Sequence, residues 1–166
     1  MKAEQTNSIR PKPTTSRTTD AKDRTLLGLL AEDATRSYAD LGRLLHLSPP
    51  AVHERVKRLK RDGVIKGTVA VLDAEKIGKP LLAFVHVDTA GWGKSEQLLA
   101  MSKLPEVEEI HTVAGDTCVL LKIRTEGPQA LEDILREIYD TKGVERTRSY
   151  IALSTVLERG VRPREE

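Results

Sequence analysis

The feature that most constrains this chain is the amphipathic segment between Ser48 and Gly63. Its apolar residues are spaced at i, i+4 and i+7 and so lie along one side of a helix: Val52, Val56 and Leu59. Six polar or charged residues lie off that stripe: His53, Glu54, Lys57, Arg58, Lys60 and Arg61. Ser48 can cap the start of the helix, Pro49 suits its first position, and Gly63 suits the left-handed residue that ends it. The segment is predicted to be a helix with one apolar and one cationic side.

A shorter helix is predicted directly before it, with the apolar residues Leu41, Leu44 and Leu45. His46 and Leu47 then form a tight connection. Two short helices joined in this way, with exposed Arg and Lys on the second, are the layout of a helix-turn-helix. An ordinary surface helix with a solvated basic side is the competing interpretation. The position of the charge on the second helix of the pair favours nucleic-acid binding.

Charge is divided unevenly along the 166 residues, whose total is +2. Residues 1–72 sum to +6 and residues 73–166 to −4, so the first part is suited to an anionic polymer. Aromatic residues make up only 3% of the chain, which disfavours the stacking surfaces that bind single strands and most RNA. Duplex DNA is therefore the expected partner.

Cysteine content and hydropathy indicate in which cellular compartment the protein is located. The single cysteine, Cys118, excludes an internal disulfide framework and fits a reducing cytoplasm. No apolar run approaches the roughly 20 residues that span a bilayer. A cytoplasmic protein without a membrane partner is predicted.

The chain divides into five segments by composition and periodicity. Residues 1–19 are predicted to be a disordered basic tail, and residues 20–64 a helix-turn-helix domain whose first helix is capped by Asp20. Residues 65–79 are predicted to be a linker strand or wing, because Val64–Leu72 alternates and is rich in β-branched residues. Residues 80–158 form the second domain, and residues 159–166 a tail.

The second domain reads as strand, helix, strand, strand, helix, strand. The central strands, Val107–Ala114 and Cys118–Thr125, flank a turn and are predicted to form a hairpin, and Val144–Leu157 a long last strand. That order predicts a ferredoxin-like βαββαβ domain, and the chain as a whole an α+β protein with a winged helix-turn-helix in front. The sheet face away from the helices needs a cover, for which a partner subunit is the natural candidate; its expected apolar residues are Leu82, Phe84, Leu153 and Leu157.

Several motifs in this arrangement match a known pattern. In the first domain they are Asp20-x-x-Asp23-x-x-Leu26-Leu27, Ala34-x-Arg36-Ser37, Leu41, Leu47-Ser48, Arg55-Val56, Arg58-Leu59 and Gly63-Val64-Ile65-x-Gly67. In the second they are Ile77-Gly78, Gly115-Asp116 and the strand with Thr147, Ser149 and Leu153. With these motifs the chain resembles the Lrp/AsnC, or feast/famine, family of transcriptional regulators over about residues 20–158.

The resemblance implies a regulator that binds operator DNA and responds to a small effector, usually an amino acid. It also implies dimers joined through the second domains, often assembled into octamers, with the effector between dimers near a turn that commonly reads Gly-Asp-x-Asp. In this chain the fourth position is Cys118, which cannot pair with an ammonium group as a charge. The effector therefore differs, another group supplies the anion, or the site is vestigial. The implied effector residues are Gly115, Asp116, Thr117, Cys118, Thr147 and Ser149.

The expected DNA contacts fall into three groups. His53, Glu54, Lys57 and Arg58 are predicted to face the groove, with Ser48 and Pro50 at the entry to the helix. Arg55 can face either DNA or the neighbouring helix. Phosphate contacts, which give affinity without sequence information, are expected from Arg36, Lys60, Arg61 and Lys66.

Two other functions are compatible with the same pattern. Siroheme decarboxylases resemble this family in both domains, but the four histidines, His46, His53, His86 and His111, lack metal-ligand spacing. A nucleoid-organising protein would share the basic helix and bind random and operator DNA alike. No catalytic set can be assembled from spacing, so a regulator without cofactor, metal or enzymatic activity is predicted.

Overall fold

The computed structural model describes residues 19–90 and 95–163, which belong to two compact units. The first unit comprises the described residues up to Val69 together with residues 159–163, and the second runs from Ala70 to Glu158. The predicted disordered tail, residues 1–19, lies outside the described residues except for Thr19. The predicted C-terminal tail belongs, as far as it is described, with the first unit.

The described part of the first unit contains three helices: α1 (Ala21–Glu32), α2 (Tyr38–Leu45) and α3 (Pro49–Arg61). Asp20 caps α1 as predicted, in a capping box with Asp23. The apolar residues of the three helices form one core, and the predicted stripe of α3 lies entirely within it: Leu26, Leu41, Leu45, Val52, Val56 and Leu59. The amphipathic pattern thus fixes which side of α3 turns inward and which side stays in solvent.

The strand expected at Val64–Leu72, as a wing or linker, is not formed. The described chain has no strand between Arg61 and Leu81, and Val69 and Val71 are 85% and 96% exposed. An alternating sequence becomes a strand only where a neighbouring strand takes its backbone hydrogen bonds. No described residue of this chain does so for residues 66–72.

The second unit is a four-stranded antiparallel sheet with two helices. In chain order its elements are β1 (Leu81–Thr89), α4 (Ser95–Met101), β2 (Val107–Thr112), β3 (Val119–Thr125), α5 (Pro128–Asp140) and β4 (Val144–Ile151). The strand order is β2-β3-β1-β4. This is the predicted ferredoxin-like fold. The last strand, however, ends at Ile151 rather than Leu157, because beyond Ala152, which donates to the Leu82 carbonyl, no further backbone pairing with β1 follows.

The two faces of the sheet differ in chemistry. The helix-covered face presents Ala83, Val85, Val87, Val119, Leu121 and Ile123, which pack with residues of α4 and α5. The opposite face, called here the open face, carries aromatic and charged residues at the alternate positions: Phe84, His86, Lys122, Arg124, Arg148 and Tyr150. The hydrophobic core of the second unit therefore lies between the sheet and its helices.

Candidate nucleic-acid interface and effector turn

The connection between α2 and α3 is held by close backbone packing. His46 adopts a left-handed conformation, with φ of 52°, and Leu47 donates to the Gly42 carbonyl at 2.9 Å. A Cβ atom at Gly42 would lie 2.6 Å from the Leu47 carbonyl oxygen, so only glycine allows this approach. The turn fixes where α3 leaves α2, which is what a helix-turn-helix requires.

Both ends of α3 are capped as the sequence predicts. The Ser48 hydroxyl accepts from the Ala51 amide at 3.4 Å, because the prolines at positions 49 and 50 have no N–H to offer. At the other end Gly63 has φ of 72°, and Val64 donates to the Leu59 carbonyl at 2.9 Å. This is a Schellman motif, which stops the helix after Arg61.

Most residues predicted to meet DNA lie on the solvent side of the first unit. The exposed members are Ser48, Pro50, His53, Glu54, Lys57, Lys60, Arg61 and Lys66. The His53 ring packs beside Tyr38, with 5.4 Å between ring centroids, and Arg36 is half-buried near Glu32. One side of α3 is therefore available to a ligand along its length.

Arg55 and Arg58 are the exceptions, and they correct the sequence interpretation. Arg58 donates to both carboxylate oxygens of Asp23, at 2.6 and 2.5 Å, so its guanidinium is bound to α1 instead of pointing freely outward as predicted, although 37% of the side chain is exposed. Arg55 donates to Asp23 and to Asp20, each at 2.7 Å, which settles its two alternatives in favour of the neighbouring helix. The Asp23 side chain is only 4% exposed, and a carboxylate so buried needs partners of opposite charge.

Within this arrangement the pKa values of Asp20 and Arg55 are shifted so as to favour their charged forms. The Arg55 hydrogen bond holds the pKa of Asp20 below its ordinary value of 3.8. The pKa of Arg55 is raised by its hydrogen bonds to Asp20 and then to Asp23. The pairing therefore persists at neutral pH.

The predicted effector turn links β2 to β3. Val113 donates to the Cys118 carbonyl at 3.1 Å and closes the turn, while Gly115 and Asp116 are exposed at its tip. Thr117 is buried, and its hydroxyl donates to the Val87 carbonyl at 3.2 Å. Cys118 is half-buried against the core of the unit. Gly115 and Asp116 are thus the most exposed of the four residues predicted to form the effector turn.

The residue that reaches the turn from β4 is Arg148, which the sequence interpretation missed. It donates to the Asp116 carbonyl at 3.1 Å and lies 3.4 Å from its carboxylate. Thr147 and Ser149 pair with Val87 and Val85 and so lie on the helix-covered face, whereas Arg148 lies on the open face. Strand alternation predicts that Arg148 lies on the other face of the sheet from Thr147 and Ser149. The sequence does not predict that its long side chain reaches past β1 to the turn.

The remaining histidines lie in separate surroundings. On the open face His86 contacts the Tyr150 ring, with centroids 5.1 Å apart, and His111 lies 2.8 Å from Glu109. Within the described residues no group of three or more His, Cys, Asp and Glu could hold a metal ion. In that same part of the chain, no helix has the length and apolar character needed to cross a membrane.

Comparisons with known proteins agree with this geometry. Residues 20–60 match the family described as the AsnC-type helix-turn-helix domain, and residues 82–161 the Lrp/AsnC ligand binding domain. The HTH-type transcriptional regulator FL11 of Pyrococcus horikoshii is 32% identical over 136 residues, which cover 82% of this chain and 90% of that protein. The leucine-responsive regulatory protein of Escherichia coli K12 is 35% identical over 142 residues, covering 82% and 86%.

A solved structure extends the similarity to the whole fold. It is a transcriptional regulator from Neisseria meningitidis in complex with L-Met, with a TM-score of 0.80 and 25% identity, covering 86% of this chain and 94% of that one. Both family models match this chain, with the helix-turn-helix domain first and the ligand binding domain second. This chain therefore belongs to the Lrp/AsnC family of transcriptional regulators.

Proposed function

We propose that this DNA-binding regulator reads duplex DNA with the solvent side of α3 and responds to an amino acid at the Gly115–Cys118 turn. The observation that carries the first part is the exposed row of polar residues on a helix whose two ends are fixed by caps. In this proposal His53, Glu54 and Lys57 face the groove, and Lys60 and Arg61 meet phosphates. Such contacts divide into those that specify sequence and those that give affinity.

The experiment for DNA binding selects sheared genomic DNA with the purified full chain and sequences the bound fragments. We expect an enriched motif with two half-sites about one helical turn apart, because a dimer presents two copies of α3. Uniform enrichment would support a nucleoid-organising protein instead. Failure to bind any duplex at about 100 mM salt would contradict the proposal, since phosphate contacts alone give measurable affinity there.

Charge at the turn supports an amino acid as the effector. Asp116 and Arg148 offer an anion and a cation 3.4 Å apart, and an amino acid carries both complementary charges. Asp116 would then take the ammonium group, which Cys118 cannot, and Arg148 the carboxylate. Two relatives point the same way: one is named for leucine and another was solved with L-Met.

The experiment for the effector measures the melting temperature and DNA affinity of the full chain with each of the twenty amino acids. We expect at least one to raise the melting temperature and to change DNA affinity, because a ligand stabilises the state that it binds. Asp116→Asn should remove both effects, whereas Glu137→Gln, on the exposed side of α5, should keep them. A panel with no effect on either readout would exclude an amino-acid effector.

We also propose how the chain assembles and where it is located. Dimers would form through the open face of the second unit, and four dimers would make an octamer with effector sites between them. The single cysteine fits a cytoplasmic location. We propose no enzymatic activity, because the relatives matched are transcriptional regulators.

A further inference from the structure

The ion cluster between α1 and α3 balances its own charge. Two carboxylates, Asp20 and Asp23, meet two guanidiniums, Arg55 and Arg58, through four hydrogen bonds of 2.5 to 2.7 Å. Their formal charges sum to zero. Two of the cations on α3 therefore add little to the positive potential that DNA would meet.

Position on the helix separates these two arginines from the other cations. Arg55 and Arg58 are three residues apart and so lie on the same side, which faces α1. His53, Lys57 and Lys60 follow an i, i+4, i+7 spacing on the exposed side. The charged residues of α3 thus form two groups with different neighbours.

We infer that Asp23 is a positioning residue that holds Arg55 and Arg58 away from DNA and fixes the rotation of α3 about its axis. This inference rests on the proposed DNA binding by α3. Phosphate contacts from α3 then come from Lys60 and Arg61, while Arg55 and Arg58 tie α3 to α1. Asp23 raises sequence discrimination by withholding two cations that would bind any duplex.

Loss of the Asp23 charge should free Arg58 and leave Arg55 held by Asp20 alone, without removing either cation. Arg58 is 37% exposed at its side chain, and a cleft of about 250 Å³ opens beside it and Asp23, so the guanidinium has room to move. Each additional phosphate contact steepens the slope of log Kobs against log salt by about 0.9 for duplex DNA. Asp23→Asn is therefore expected to bind random DNA more tightly at low salt and with a steeper slope.

The experiment measures fluorescence anisotropy of the full chain with a selected duplex and a random duplex from 50 to 300 mM KCl. Asp23→Asn should steepen the slope by about 0.9 to 1.8 and lower the ratio of selected to random affinity several-fold. Arg58→Gln should leave the slope unchanged. Lys60→Gln, which removes an exposed cation on the same helix, is the matched control and should flatten the slope by about 0.9.

The double variant Asp23→Asn with Arg58→Gln separates charge release from structural damage. In this double variant, about half or more of the steepening caused by Asp23→Asn should disappear. If Asp23→Asn acted by damaging the fold, the double variant would show the same altered slope. A fall in the slope for Arg58→Gln as large as for Lys60→Gln would overturn the inference, and that test holds even if Asp23→Asn does not fold. If the wild-type chain bound neither duplex, the proposed function itself would fail, which is a distinguishable result.

Discussion

Gly42 and Gly63 are both required in the first unit, for different physical reasons. A side chain at Gly42 would collide with the Leu47 carbonyl, while Gly63 needs its positive φ although nothing lies within 4 Å of a Cβ there. The first constraint comes from packing of the turn and the second from backbone geometry. Gly42 therefore fixes the turn that precedes α3, and Gly63 fixes the end of α3.

Gly42→Ala is expected to lower the free energy of unfolding by about 1–3 kcal/mol, because the turn must open to admit the methyl group. Urea unfolding followed by far-UV circular dichroism measures the change. Gly67→Ala is the control, since its Cβ meets no atom within 4 Å and should change stability by less than about 0.5 kcal/mol. Equal stability of the two variants would show that the approach to Leu47 is not limiting.

Asp20 makes the stability of the first unit depend on pH in the acidic range. Its pKa is lower in the folded chain than the ordinary 3.8, chiefly because Arg55 donates to its carboxylate. The unfolded chain therefore takes up the proton first as the pH falls, so this stabilisation is complete above about pH 4 and disappears as the pH passes below the folded pKa.

Asp20→Asn keeps a side chain that can cap α1 but removes the charge. We expect the melting temperature of the wild-type chain to fall more steeply between about pH 4 and pH 2 than that of the variant. A series of thermal melts across this range measures both profiles. Parallel profiles would mean that the pairing with Arg55 contributes no pH-dependent stability.

Local rules sufficed for some site residues and not for others. The capping roles of Ser48 and Gly63 depend on the few residues beside them, so the sequence predicts them correctly. The direction of Arg58 depends on Asp23, which lies 35 residues earlier in the chain. Charge and spacing on α3 alone could not show that this carboxylate would be buried against it.

A serine caps the N-terminus of both α2 and α3, but the two capping hydrogen bonds differ in length. Each serine accepts from the amide three residues on: Ser37 from Asp40 at 3.1 Å and Ser48 from Ala51 at the longer distance of 3.4 Å. Ser37→Ala is expected to cost about 1 kcal/mol and Ser48→Ala about half as much. Urea unfolding of the two variants tests this order, and a larger loss for Ser48→Ala would contradict it.

Strand prediction succeeded where a strand has neighbours within the chain. The strands β1 and β3 are paired and pack against the helices, so their alternating sequences match their environment. The alternating run Val64–Leu72 has the same periodicity and no strand partner among the described residues. Periodicity records which side of a segment can be buried, but it does not supply the neighbour that makes a strand.

The open face of the sheet combines apolar rings with ion pairs. Phe84 and Tyr150 lie side by side on β1 and β4 and are 38% and 57% exposed. Beside them, Lys122 and Arg124 both pair with Glu158, which fixes the chain beyond β4 to the sheet. Exposed aromatic rings surrounded by charges held in place favour binding to a specific protein partner over non-specific association.

The proposed dimer through this face can be tested with one charge. Phe84→Asp is expected to shift the chain from dimer or larger assembly to monomer in sedimentation velocity, because a charged, smaller side chain would replace an apolar ring at the interface. Tyr139→Asp, at an exposed aromatic residue of α5, is the control and should remain at least dimeric. Because a monomer presents a single α3, Phe84→Asp should also lose affinity for paired half-sites while binding random DNA nearly as before. A Phe84→Asp chain that sedimented as the wild type would exclude the open face as the dimer interface.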